Sequence, residues 1–406
     1  MTKENIVVGL DVGTTKVAVC VGKLTEGIIK IIGYSCVPNL GVRKGMVIEI
    51  EDTVSAISLA LEEAERMSGL SISDAYISIG GNHITSVISK GVVAVSRADG
   101  EVTASDVQRV IEAARTVALP PNREIIHIIP KSFTIDNQTG IADPIGMTGI
   151  RLETETIVVG ASVSATTNLT KCLQQAGINV NGLIFSPLAS SKLSLNKKQK
   201  ELGTVLIDLG GGTTSIAVFE EGEIIHCSVV PVGSTHITND IAIGLRTSLE
   251  TAEKIKINFG SVIPEKIPES ERINLATIDP QDNQRIERRY VSEIIHARFL
   301  EIINLVREEL RKIGKDNMLP AGAVLTGGGA KMEDLLELCR EELRLPAQIG
   351  QPVVEIEGLV DKLFDGVYST SVGLMLYGFE SPEKLNHYNG EGIIGKARGF
   401  FKQFLP

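Results

Sequence analysis

Two stretches of this chain, LDVGTTKVAVCVG from Leu10 and LIDLGGGTTSIAVF from Leu206, are versions of one another, and that repetition limits the available folds more than any other feature. Each runs an apolar strand into an acid, Asp11 or Asp208. A glycine turn with two threonines follows: Gly13, Thr14 and Thr15 in the first copy, and Gly210, Gly211, Gly212, Thr213 and Thr214 in the second. The alternation then restarts at Val17, Val19 and Val21, or at Ile216 and Val218, so both copies are predicted to be β-hairpins. A glycine turn lets the backbone approach a phosphate and present N–H groups to it, while the strand-end carboxylate stands ready to hold a hydrated Mg²⁺. Two such turns facing each other would clamp a polyphosphate.

No G-x-x-x-x-G-K-[ST] run is present, and each glycine turn leads into a strand rather than a helix, so neither a P-loop nor a Rossmann fingerprint fits. The plain alternative is a pair of ordinary tight hairpins, and near-identity over some ten residues at two distant places argues against it. A third cluster, AVLTGGGAKMEDL from Ala323, is an apolar strand running into Gly327, Gly328 and Gly329 and then a helix, a platform on which a base and ribose could lie. In TAEKIKINFG from Thr251, Glu253 and Lys256 stand at i, i+3 and could reach one ligand. Periodicity alone favours reading those two as a solvated charged face.

The order of elements resembles the actin-like ATPases, an α/β fold of two lobes around a nucleotide cleft. The resemblance implies ATP with Mg²⁺ as cofactors. Asp11, Thr14, Thr15 and Lys16 would face the phosphates and metal, opposed by Asp208, Gly210, Gly211, Gly212, Thr213 and Thr214. Asp11 and Asp208 would hold the metal through water, with Asp208 the candidate catalytic carboxylate; Glu253 and Lys256 would point toward the ribose, and Gly327, Gly328 and Gly329 would lie under the adenosine.

Composition agrees with that class. At 406 residues and 43% apolar the chain can bury a large core in two or three domains. Six scattered His and five Cys without a C-x-x-C pair indicate neither a zinc site nor a disulfide framework, which fits a reducing cytoplasm. No apolar run reaches the roughly 18 residues of a spanning helix, so a protein that is neither secreted nor membrane-crossing is expected. A formal charge of −10 without aromatic-basic patches argues against nucleic acid as a partner.

Two segments depart from a plain actin-like plan. From Asn82 to about Ser162 a small α/β module is spliced in, with strands over Ile84 to Val95, Ile125 to Ile129, Ser132 to Ile135 and Thr156 to Val159. Its helix opens at Thr103 with Asp106 placed for a capping box, and Val107, Val110, Ile111, Ala114 and Val117 keep the 3.6 period. Such an insert reads as a module for contacts rather than decoration. At the other end, a polar stretch ESPEKLNHYNGEG from Glu380 precedes GIIGKARGFFKQFLP. On a helix Ile393, Ile394, Ala397, Phe400, Phe401, Phe404 and Leu405 share one face, and Lys396, Arg398, Lys402 and Gln403 the other. Basic on one side and aromatic on the other is the pattern of an interfacial membrane helix with a preference for anionic lipids. Burying five of these large side chains would set a ceiling of about 7–15 kcal/mol for insertion, reduced by partial burial and by Gly395 and Gly399 at about 1 kcal/mol each. One copy would hold weakly and a polymer tightly, by avidity. The competing reading is a helix docked on its own domain.

Together these features resemble the FtsA family of bacterial cell-division proteins over essentially the whole chain, through GLDVGTTKV, PLASS from Pro187, IDLGGGTTSIAVF, VLTGGGAKMEDL and YSTSVGLMLYG from Tyr368. The resemblance implies an ATP-binding protein that self-associates into filaments on the cytoplasmic side of the cell membrane, as a peripheral protein at the division site. It would tether the FtsZ ring there, with the insert used for filament contacts and for later division proteins. It divides the chain into a first core subdomain (1–81, continued by 164–196 and 365–380), the insert (82–163), a second core subdomain (197–235, continued by 314–364), its outer subdomain (236–313), a linker (381–391) and the amphipathic helix (392–406). On the helix VSEIIHARFLEIINLVREEL from Val291, Arg298 and Asn304 are candidates for holding the FtsZ C-terminal peptide, a solvated face being the alternative. Many actin-like ATPases carry a Gln or Glu in the segment before the second hairpin to orient the attacking water. That segment here, Phe185 to Ser191, has no carboxylate or amide, so tight binding with slow hydrolysis is expected. Pilus-platform proteins share the fold and insert but bind their membrane partner by a peptide, whereas a metabolite kinase would have no use for the tail. A heat-shock-type chaperone would need a separate peptide-binding domain.

Overall fold

The computed structural model describes residues 5–116, 120–280, 284–359 and 364–380. Both glycine-turn repeats are antiparallel hairpins: Asn5–Val12 pairs with Lys16–Thr25, and Thr204–Leu209 with Thr214–Glu220. Away from the strand ends, their Val, Ile and Leu side chains are buried on both faces, the pattern of central strands. Each hairpin seeds a sheet in the same way, its first strand also taking a parallel neighbour, Asp74–Ile79 in one case and Gly322–Thr326 in the other. The first sheet runs in the order Asn179–Phe185, Asp74–Ile79, Asn5–Val12, Lys16–Thr25, Ile28–Pro38, Ile356–Gly358. The second runs Glu223–Val230, Thr214–Glu220, Thr204–Leu209, Gly322–Thr326, Ala347–Ile349.

Helices cover the outer faces. Ile50–Ser68 and Val163–Gln175 lay Ile57, Leu61 and Leu173 on Leu10, Val17 and Val19 of the first sheet. Arg288–Lys312 places Ile295, Phe299 and Val306 on Ile207 and Ile216 of the second. Between the lobes a third core is shared: Ser186–Ser194, hereafter the linking helix, and the last described helix, Ser369–Glu380, set Leu188, Ala189, Val372 and Met375 among Val7 and Cys20 of one lobe and Leu206, Ala217 and Phe219 of the other. The two helices touch backbone to backbone; a Cβ built on Gly373 would stand 2.0 Å from the Ala189 carbonyl oxygen.

The insert has its own four-stranded sheet, in the order Thr85–Ala94, Arg151–Ser162, Arg123–Ile135, Gln138–Ile141. Ala104–Arg115 packs on it through Val107, Val110 and Ile111, and the Thr103–Asp106 capping box is formed. Val117, expected on the same helical face, lies outside the described residues. The two strands expected over Ile125 to Ile129 and Ser132 to Ile135 are one strand of 13 residues, because Pro130 is absorbed at a register shift opposite Thr156 instead of ending the pairing. A second difference concerns Ile356–Gly358. The sequence reading gave it to the second lobe, but it adds to the edge of the first sheet beside Ile28–Pro38. Gly358, at φ 94°, brings the backbone against Ile31, whose carbonyl accepts from the Leu359 N–H at 3.1 Å. The expected tail residues Ile393, Ile394, Lys396, Ala397, Arg398, Phe400, Phe401, Lys402, Phe404 and Leu405, and the linker 381–391, lie outside the described residues.

Replacing Gly373 by Ala improves local helix propensity by about 1 kcal/mol, yet the added methyl must push the two helices apart. Gly373→Ala is therefore expected to lower unfolding stability by about 1–3 kcal/mol, read as a fall in the urea midpoint; an unchanged or higher midpoint would show that these helices separate freely.

Candidate nucleotide cleft

Both glycine turns open onto one cleft of about 820 Å³, its mouth included, between the lobes. The turns are closed in the same way: the Gly13 N–H donates to the Lys16 carbonyl at 2.8 Å, and the Gly210 N–H to the Thr213 carbonyl at 3.0 Å. They also meet across the cleft. A Cβ on Gly211 would stand 2.5 Å from Thr15 Cγ2, and one on Gly212 would stand 2.7 Å from Thr14 Oγ1, so the second turn must be glycine for the lobes to approach this closely. Gly327, at φ 83°, brings the third glycine cluster beside Asp208. Asn39, 2% exposed, anchors the first turn by donating from Nδ2 to the Gly13 carbonyl at 2.8 Å.

Asp11 and Asp208 end equivalent strands and face the same space. Lys16 Nζ donates to Asp11 Oδ2 at 2.6 Å. Burial opposes the Lys16 charge, but the neighbouring Asp11 outweighs it and holds the ammonium above its usual range. Asp208 is pushed up to about 6, first by burial and then by the Asp11 charge, against a smaller opposing pull from Lys16. Two carboxylates thus share one ammonium, and a divalent cation would relieve them. Among the described residues no cluster of three or more His, Cys, Asp or Glu could hold a metal by itself. The residues present therefore fit a Mg²⁺ that keeps several waters and takes phosphate oxygens, not one caged by protein alone.

Most of the expected residues line this cleft: Asp11, Gly13, Thr14, Thr15, Lys16, Asp208, Gly210, Gly211, Gly212, Thr213, Gly327 and Gly328. Three kinds of exception stand out. Thr214 points away, its hydroxyl donating to the Val232 carbonyl at 2.8 Å. Gly329 is buried against Leu209 behind the wall. Of Glu253 and Lys256 only the acid stays in contact with solvent: Lys256, 7% exposed, donates to Glu253 Oε2 at 2.7 Å, Thr238 Oγ1 at 2.9 Å and the Ser234 carbonyl at 3.2 Å. Since Ser234 lines the cleft, this network braces the wall from behind.

Several lining residues carried no motif signal in the sequence. Ser78 and Gly80 end the strand beside the first hairpin, and Ser186 opens the linking helix, its hydroxyl on the Ile79 carbonyl at 3.2 Å. Thr370, from the last described helix, hydrogen-bonds Ser190 at 3.1 Å and reaches Asp208 at 3.5 Å. The YSTSV segment containing it was informative only by likeness. Away from the cleft, Arg298 already grips Asp240 with two hydrogen bonds of 2.7 and 3.0 Å and also pairs with Glu301. Asn304 is exposed about 120° further round the same helix, so the structure does not bring the two together.

The family model of cell division protein FtsA matches residues 205–373, and that of the SHS2 domain inserted in FtsA matches 81–160. The chain is 40% identical over 376 residues to the cell division protein FtsA of Pseudomonas aeruginosa, covering 92% of this chain and 89% of that one. It is 37% identical to the protein of that name from Bacillus subtilis, over 95% of this chain and 88% of the relative, and 35% identical to that of Escherichia coli, over 97% and 94%. Among solved structures, the PilM–PilN type IV pilus biogenesis complex superposes with a TM-score of 0.67 at 16% identity, covering 92% of this chain and 98% of that one. MreB5 of Spiroplasma citri bound to ADP gives 0.56 at 14%, over 95% and 99%. Both show the actin-like fold.

The raised Asp208 has a measurable consequence. The carboxyl titrates near 3.9 in the unfolded chain and near 6 in the fold, so the native state holds its proton longer. Its penalty is absent below pH 4, grows from pH 4 to 6 and is complete at pH 7. Asp208→Asn in metal-free buffer is thus expected to raise stability by about 1–2 kcal/mol at pH 7 and little at pH 4, read from urea midpoints at both pH values.

Proposed function

The chain belongs to the FtsA family of cell-division proteins, and from that premise we propose that it is an ATP-binding, membrane-attached polymer subunit that tethers the FtsZ ring. The observation that carries the nucleotide part is the pair of glycine turns packed against each other with Asp11 and Asp208 at their bases. In this reading the N–H groups of the two turns would hold the phosphates, and Asp11 and Asp208 would hold a hydrated Mg²⁺ whose charge offsets theirs. The linking helix presents Ser186 to the cleft where a water-orienting amide or carboxylate would be needed, so hydrolysis is slow and ATP acts chiefly as an assembly switch. Glu253 and Lys256 serve the ribose side by holding Ser234 in place.

No described helix is long and apolar enough to cross a membrane. Attachment is assigned to residues 392–406 lying in the interface, at the cytoplasmic side of the division site and with a taste for anionic lipid. Filament contacts and later division proteins are assigned to the insert, and the FtsZ peptide to the outer face of Arg288–Lys312, where it would compete with Asp240 for Arg298. Identities of 35–40% with division proteins against 16% with the pilus complex favour this over a pilus platform.

Two measurements test the reading. Gly211→Val, which drives a side chain into Thr15, is expected to weaken Mg-ATP binding at least tenfold in titration calorimetry while circular dichroism stays native. In vesicle flotation with Mg-ATP and anionic lipid, the full chain is expected to float, whereas a chain stopped at Ser381 and Phe401→Asp stay in solution. Equal behaviour of all three would remove the membrane assignment.

A further inference from the structure

The linking helix has a second side. Where Ser186 faces the nucleotide cleft, Leu188 and Lys192 face another cavity of about 1290 Å³, its mouth included, walled on the opposite lobe by Phe219 and Ile224. We infer that this cavity is the docking site of the chain's own residues 392–406, so that the segment assigned to the membrane is held on the protein body until lipid claims it. The inference rests on that assignment for its membrane half only.

The position of the chain argues for this occupant. The last described helix ends at Glu380, which itself lines the cavity and accepts from Lys192 Nζ at 2.6 Å, so the following residues leave from the rim. The eleven residues 381–391 span about 16–20 Å as a flexible chain. That reach sets 392–406 over the cavity at a millimolar effective concentration, where contacts too weak for a free peptide suffice.

The chemistry of the walls suits the segment as well. Val353 and Val354 are left 41% and 39% exposed at the edge, apolar surface for Phe400, Phe401 and Phe404 to cover. Glu223 has no hydrogen-bond partner among the described residues, and burial pushes its carboxyl up to about 7, so a Lys396, Arg398 or Lys402 would complete it. Lys200, by contrast, is already placed over the Phe219 ring at 5.2 Å. Cavity and bilayer compete for the same apolar side chains, and because the cavity has a wall from each lobe, a change in lobe closure alters its grip.

Hydrogen–deuterium exchange on the full chain tests this, reading residues 195–202 and 219–225 without lipid, with phosphatidylglycerol vesicles, and in a chain stopped after Glu380. Slower exchange by several-fold in the lipid-free full chain, lost on truncation and on adding vesicles, is the expected result. Val354→Asp, at an exposed position, is expected to lose the protection and to float at several-fold lower lipid concentration. Identical exchange with and without the tail, or no effect of Val354→Asp, overturns the docking. Protection that fades on dilution also overturns it, by assigning the occupant to a second copy. Protection in a chain that never floats, even as Val354→Asp, keeps the docking and removes the membrane assignment instead.

Discussion

The contact on which the architecture hangs is the crossing of the linking helix and the last described helix between the two sheets. Neither lobe closes its inner face alone: Val7 and Cys20 on one side and Leu206, Ala217 and Phe219 on the other are buried by the same pair of helices. The absence of a side chain at Gly373 is what allows that pair to lie backbone to backbone. The same two helices carry Ser186, Ser190 and Thr370 to the cleft of Asp208 on one side and Leu188, Tyr377 and Glu380 to the second cavity on the other. A shared core therefore fixes the two sites relative to one another without either needing its own scaffold.

Within the cleft the decisive balance is electrostatic. Asp11 keeps Lys16 charged despite burial, and that leaves Asp208 the unpaired member, short of a cation. The glycine turns bring dipoles instead of side-chain charges to the same space, so a polyanion with a divalent ion satisfies every group there, whereas either alone leaves one sign in excess.

The insert is fastened to this machinery at its root. His127, on its sheet, accepts from the Phe185 N–H at 3.0 Å immediately before the linking helix, and burial lowers its imidazole to about 4, so it stays neutral and able to accept. On the other side, the Asn82 N–H donates to the Lys44 carbonyl, and the next residue, Gly45, donates to Thr14 Oγ1 at 3.2 Å in the first glycine turn. Two short hydrogen-bonded routes thus run from the module to the cleft, both through the first lobe.

What could be read in the sequence was what local pattern fixes. The hairpins, their acids and the Thr103–Asp106 box follow from alternation and capping, each contained within a few residues. What could not be read depends on the partner across space. Lys256 looks like a surface charge on its helix because its partners Thr238 and Ser234 belong to another. Pro130 looks like a strand end because the bulge that absorbs it, at Lys131, is defined only by pairing with Glu155 and Thr156 of the neighbouring strand. Arg298 looks free because Asp240 is 58 residues away. Thr370 and Asn39 make the same point for the site itself: a lone hydroxyl or amide has no period, and its role is set only when the fold brings Asp208 or the Gly13 carbonyl within reach.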